Sequence, residues 1–67
     1  MDITLNGEAR NFDRSLLTIA ALLDNEGLGQ RRVAVEVNGE IVPRGRHATH
    51  ALQAGDRVEI VHALGGG

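Results

Sequence analysis

Val33-Ala34-Val35-Glu36-Val37-Asn38-Gly39-Glu40-Ile41-Val42-Pro43-Arg44 is the stretch on which the fold reading turns. Val33, Val35 and Val37 alternate with Ala34, Glu36 and Asn38, the period of a half-buried strand. β-Branched side chains pack well on a pleated surface, so this run predicts a strand. Asn38-Gly39 supplies positive φ at low steric cost and suits a two-residue hairpin turn. Ile41-Val42 then reads as a short return strand. Pro43 ends it, having no N–H to give a ladder, which suits an edge position.

The same grammar recurs on the N-terminal side. Met1 to Asn6 alternates, with Ile3 and Leu5 on one face. Asn6-Gly7 is a second hairpin signal, and Glu8 to Phe12 is the expected return strand. Between the two hairpins, Thr18 to Glu26 places Ile19, Leu22 and Leu23 at helical spacing. Thr18 is the expected N-cap, with Ser15 competing, and Gly27 can take the left-handed C-terminal cap. After Pro43, residues Arg44 to Ala54 lack a clean period and read as loop with a short helical turn. Gly55-Asp56 marks a turn. Arg57 to Leu64 is the last strand, with Val58, Ile60, His62 and Leu64 on one face and Arg57, Glu59, Val61 and Ala63 on the other. Hairpin, helix, hairpin and final strand predict an α+β chain of the β-grasp (ubiquitin-like) class: a mixed four- to five-stranded sheet with one packed helix.

Size and composition narrow the function. The chain has 67 residues, which allows one domain near the lower size limit for independent folding. The expected division is a domain over 1–64 and a flexible glycine tail over 65–67. Cysteine is absent, so neither a disulfide nor a thiolate metal site is available. The net charge of −2 and a single aromatic, Phe12, argue against a nucleic-acid partner, which calls for a clustered basic surface and stacking rings. No apolar run approaches membrane-spanning length and no secretory signal pattern opens the chain, so a cytoplasmic location without membrane association is expected. All seven basic residues are arginine. A GC-rich codon bias would account for this, and lack of lysine would also spare an activated C-terminus from capture by amines. The sequence does not separate the two.

Chemistry concentrates at the C-terminus. Gly65, Gly66 and Gly67 follow directly on the last strand. Without Cβ atoms such a tail is thin and can adopt almost any backbone angle, so it can thread a narrow channel and present its carboxylate there. Many glycine-rich ends are simply frayed termini; here the order of elements that delivers the tail gives it a functional reading. The carboxylate is inert until activated, for which adenylation by ATP is the common route. A sulfur donor could then convert it to a thiocarboxylate. In a chain without cysteine, this is the one credible place to carry sulfur covalently.

Other residues have plainer readings. His47 and His50 are three apart but lack a third ligand, and exposed loop histidines are expected. No metal and no bound cofactor are expected. Arg44, with Arg46 beyond the Pro43 turn, could meet an acidic partner surface; Val61 is the apolar candidate for a docking face opposite the helix. So small a chain has little room for a concave active site, so it reads as a substrate of enzymes rather than an enzyme.

The stretch Val33 to Arg44, the helix Thr18-Ile19-Ala20-Ala21-Leu22-Leu23, the segment Leu52 to Val61 and the terminal Gly66-Gly67 together resemble the ThiS-type sulfur carriers of thiamine (thiazole) biosynthesis. The resemblance spans essentially the whole chain. It implies that Gly67 is adenylated by a ThiF-type adenylyltransferase that uses ATP. It also implies thiocarboxylation with sulfur from a cysteine desulfurase or a rhodanese-type persulfide, and delivery to a ThiG-type thiazole synthase. Gly67 would carry the sulfur, Gly66 would support it, and Gly65, Leu64, Val61 and Arg44 would meet partners. The third glycine, Gly65, departs from the usual ending, lengthening the thin part of the tail and leaving Leu64 as the last anchored residue. A monomer is expected when free. The alternatives are a carrier for another acceptor, molybdopterin or a sulfur-containing metabolite, and a non-covalent β-grasp interaction module with a dispensable tail.

Overall fold

The computed structural model describes residues 1–13 and 17–62. Strands β1 (Asp2–Leu5) and β2 (Glu8–Asn11) form the first hairpin, and β3 (Leu17–Thr18) leads into helix α1 (Ile19–Asn25). Strands β4 (Val33–Val37) and β5 (Glu40–Val42) form the second hairpin. A 3₁₀ turn, Arg44–Arg46, then precedes β6 (Ala51–Leu52) and β7 (Arg57–His62). The main sheet runs β2-β1-β7-β4-β5, and β3 pairs with β6 in a separate two-stranded ladder. The β1–β7 pair is parallel and the other pairs are antiparallel. This is the expected β-grasp arrangement, and β7 holds its central position.

Both Asn-Gly turns form as the sequence predicts. Asn6 and Asn38 sit at φ 49° and 52°, with Gly7 and Gly39 also at positive φ. Helix α1 is short enough to depend on its caps, since an isolated helix of this length is marginal in water. Thr18 Oγ1 accepts the Ala21 N–H at 3.1 Å. The carbonyls of His50 and His47 accept the N–H groups of Ile19 and Ala20 at 3.1 and 2.9 Å. Three N–H groups that a helix cannot satisfy internally are thus paired. At the other end Gly27 takes φ 75°, and Leu28 donates back to the Leu23 carbonyl at 2.7 Å, a Schellman closure. Ser15, the competing cap, lies outside the described residues.

The core lies between the helix and one sheet face. Leu17, Ile19, Leu22, Val35 and Val58 are essentially inaccessible, and Ile3, Leu5, Phe12, Leu23, Val37, Val42, Leu52 and Ile60 surround them. Burying each large aliphatic side chain contributes about 1.5–3 kcal/mol before entropy is counted. Arg10 on β2 straps the sheet to the end of the helix through a paired hydrogen bond to Glu26, at 2.9 and 2.8 Å, with its guanidinium 5.5 Å from the Phe12 ring centre.

Two readings of the connecting segment need correction. Residues 44–54 do carry the expected helical turn, but they also contain β6, paired to β3 through Leu17↔Leu52 and Thr18↔Ala51. His47 is buried rather than exposed, with its ring Nε2 3.0 Å from the Val42 carbonyl. Its backbone carbonyl caps the helix while its ring ties to the end of β5, so packing draws it inward. Among the described residues no helix is long and apolar enough to cross a membrane. The proposed division into 1–64 and 65–67 falls within 63–67, outside the described residues.

The Asn6 side chain accepts the Ile60 N–H at 2.7 Å, and the Asn6 backbone N–H donates to the Val58 carbonyl at 2.9 Å. Asn6→Ala removes the acceptor and puts at positive φ a residue without asparagine's tolerance of that region. It should cost about 1–3 kcal/mol in urea unfolding. Asn6→Gly suits the turn but also loses the acceptor, so it should be more stable than Asn6→Ala; an Asn6→Ala chain as stable as the parent would show that the Ile60 bond contributes nothing.

The hydrogen bond from Arg10 holds the Glu26 carboxyl below the usual glutamate range. Its contribution to stability is therefore complete above the unfolded glutamate pKa and lost as pH falls through the lower folded value. Thermal unfolding across that acidic window should show a steeper decline for the parent chain than for Glu26→Gln. Parallel curves would contradict the assignment.

Candidate functional site

Strand β7 is the element that leads to residues 63–67. Its first half is held on both sides, by β1 through Thr4↔Arg57 and Leu5↔Val58, and by β4 through Val37↔Val58. The β4 ladder continues to the strand's end, through Val35↔Ile60 and Ala34↔Val61 to Val33↔His62. The amide of Asn6 adds an acceptor on the β1 side at Ile60. Asn38 grips the start of β7: its Oδ1 accepts the Arg57 N–H at 2.9 Å, its N–H donates to the Arg57 carbonyl at 2.7 Å, and its Nδ2 reaches Asp56 at 3.1 Å. Both asparagines that turn the hairpins thus also fix the strand between them. The described chain ends with His62 beside Val33, at the open end of this ladder.

Period two divides β7 as the sequence predicts. Val58 and Ile60 are buried, while Arg57, Glu59 and Val61 face outward. His62 shares the inner parity but is exposed where the strand passes the core. The outer face continues onto β4 with Ala34 and Glu36, and onto β5 with Ile41 opposite Glu36. Val61 is 54% exposed and Ile41 70%. The sequence reading singled out Val61 and passed over Ile41. The signal was present, because a two-residue turn at Asn38-Gly39 puts Ile41 opposite Glu36 and so, with Val42 inward, Ile41 outward.

Arg44 opens the 3₁₀ turn and is exposed. It lines a shallow groove of about 210 Å³ with Leu23, Arg31, Val33 and His47, on the helix side of the sheet. The structure therefore separates Arg44 from Val61: the first borders the helix and the second lies on the opposite face. Gly65, Gly66, Gly67 and Leu64 lie outside the described residues. His47 is turned toward Val42, and among the described residues no three histidine, aspartate or glutamate side chains gather as a metal site would require. The chain thus offers a flat apolar and acidic sheet face, a small arginine-edged groove, and a central strand leading to three glycines.

Comparison with known proteins agrees with this architecture. A model of the ThiS family matches residues 3–67. A thiazole synthase from Paramagnetospirillum magneticum is 49% identical over 67 residues, which is all of this chain and 20% of that protein. The chain therefore spans about a fifth of the length of that relative. The sulfur carrier protein ThiS of Bacillus subtilis is 37% identical over 65 residues, covering 97% of this chain and 98% of that one. The crystal structure of the thiamine biosynthesis protein ThiS from Geobacter metallireducens superposes with a TM-score of 0.88 at 33% identity, covering both chains in full. On sequence and on fold, the chain belongs to the ThiS family.

Proposed function

We propose that this chain is a sulfur carrier protein of thiamine biosynthesis, acting as a protein co-substrate rather than as a catalyst. The observation that carries the reading is the family match from residue 3 through residue 67, which includes the terminal glycines. The working group is the carboxylate of Gly67. One of its oxygens attacks the α-phosphorus of ATP on a ThiF-type adenylyltransferase, and pyrophosphate leaves. The acyl-adenylate is then opened by hydrosulfide, or by a persulfide whose S–S bond a thiol afterwards cleaves. AMP departs and the carbonyl retains one sulfur as a thiocarboxylate. A cysteine desulfurase or a rhodanese-type protein supplies that sulfur.

The acceptor we propose is a ThiG-type thiazole synthase. A relative bearing the name thiazole synthase contains, in one polypeptide, a segment 49% identical to this whole chain. Joining two activities in one chain raises their effective concentration, which suits a carrier and the enzyme that unloads it. The fold contributes placement. Strand β7 is held on both edges through Val58 and along β4 to His62, so the chain beyond it leaves from a fixed point. Gly65 to Gly67 lack side chains that would obstruct a narrow channel. Leu64 is the last residue able to anchor in an apolar site, with Val61 on the outer face and Arg44 on the helix side as further partner contacts.

Incubation with ATP, sulfide and the adenylating enzyme of the same organism should raise the intact mass by the difference between sulfur and oxygen. Fragmentation should place the change on the Gly67 peptide. Deletion of Gly65 to Gly67 should abolish it. An unchanged mass, with the enzyme active on a control carrier, would contradict the carrier reading and favour a non-covalent β-grasp module.

A further inference from the structure

One row of residues crosses the end of the main sheet and leads from the last strand to the groove on the helix side. His62 stands opposite Val33 in the β4–β7 ladder. In the β4–β5 ladder Val35 stands opposite Val42, and continuing that register by two residues carries Arg44 to the level of Val33. Val33 shares the inward parity of Val35 and Val37, and with Arg44 it lines the groove of about 210 Å³. Arg31, Asp24, His47 and Ala48 complete its edges. Asp24 is the single acid there, and its carboxylate lies against Gly29, where a β-carbon would collide with its Oδ1. His47 has its Nε2 engaged by the Val42 carbonyl at 3.0 Å. Neither Arg31 nor Arg44 has an ion-pair partner among the described residues, where the pair formed is Arg10–Glu26. Two guanidinium groups against one carboxylate leave the groove with surplus positive charge.

We infer that this groove is the resting site of the chain's own C-terminus, with the Gly67 carboxylate held by the guanidinium groups of Arg31 and Arg44. This rests on the carrier reading above, in which Gly67 ends the chain as a free carboxylate. Length permits the contact. Adjacent strands lie about 5 Å apart, so the backbone of His62 is about 5 Å from Val33 and about 10 Å from the level of Arg44. The five residues from 63 to 67 reach about 17 Å when extended. The surplus allows the chain to turn from the line of β7 across the end of β4, and three glycines make that turn without steric cost. Charge favours the same contact, because a guanidinium gives a carboxylate paired, charge-assisted hydrogen bonds. A short flexible tether supplies an effective concentration on the order of millimolar, so a contact of millimolar strength is occupied about half the time. Such a contact keeps the terminus against the body between encounters and yields to any partner that binds the tail more tightly. Arg44 thus meets the tail in the free carrier before it meets a partner.

The test is nuclear magnetic resonance of the parent chain, the Arg31→Gln/Arg44→Gln double variant, and the parent sequence carrying a C-terminal amide. Arg57→Gln, which removes an exposed charge from the outer face, is the control. The parent should show nuclear Overhauser contacts from the Gly66 and Gly67 α-protons to the methyl groups of Val33 and Ala48. Those contacts should fall about twofold or more in the double variant and in the amide, and persist in Arg57→Gln. High salt should weaken them in the parent, because exposed charges are screened. The amide leaves every side chain in place, so it decides the matter if the double variant fails to fold. Absence of the contacts in the parent, or their persistence in the amide, would overturn the resting site. Contacts that arise solely between labelled and unlabelled molecules would overturn it as well, by assigning the groove to the tail of a second copy. No sulfur chemistry enters these measurements. A chain that shows the contacts but accepts no sulfur keeps the resting site and loses the carrier reading, and a chain that loads without them does the reverse.

Discussion

Two asparagine side chains hold the central strand of this sheet. Asn6 and Asn38 each occupy the first position of a tight turn at positive φ, where Asn is one of the few residues tolerated besides glycine. Each then uses its amide oxygen to accept a backbone N–H of β7, from Ile60 at 2.7 Å and from Arg57 at 2.9 Å. The parallel register between β1 and β7 covers just Thr4↔Arg57 and Leu5↔Val58, so Asn6 extends a ladder that the backbone would otherwise abandon. A chain of 67 residues has little apolar area to spare. Fixing β7 with turn residues that are needed anyway is an economical way to hold it.

From that constraint the functional division follows. With β7 fixed in register, Val58 and Ile60 face the helix, and Glu59 and Val61 face outward. The inner face is closed by Leu22, Ile19 and Leu17, and the helix ends are satisfied by Thr18, His47, His50 and the Gly27 closure. The outer face keeps Val61 and Ile41 exposed, and β7 ends at His62, five residues before the C-terminal Gly67. In the proposed function, binding and chemistry are carried by different parts of the chain: the body supplies recognition and the C-terminal carboxylate supplies the reactive group.

Much of this was legible in the sequence because the signals are local. The two Asn-Gly turns, the valine alternation of β4 and the spacing of Ile19, Leu22 and Leu23 each depend on near neighbours. What escaped reading depends on distant contacts. Strands β3 and β6 have two residues each and no period to detect, and they pair where the buried Leu17 and Leu52 stand opposite one another. His47 resembled a solvated loop residue, and its burial comes from the reach of its ring to Val42 and of its carbonyl to Ala20. The separation of Arg44 from Val61 needed the third dimension, since nothing along the chain shows that the 3₁₀ turn lies on the helix side. Ile41 was readable from turn length and alternation, and its partner relation to Glu36 and Glu59 required the strand order.

The central claim is that the chain delivers sulfur to a thiazole. The most direct measurement loads the carrier with a heavy sulfur isotope, separates it from the loading system, and adds it to the thiazole synthase of the same organism with the remaining substrates. The account predicts heavy sulfur in the thiazole product, with a matching loss of the label from the carrier. A carrier that loads fully but leaves the product unlabelled would contradict the claim and assign its sulfur to another acceptor.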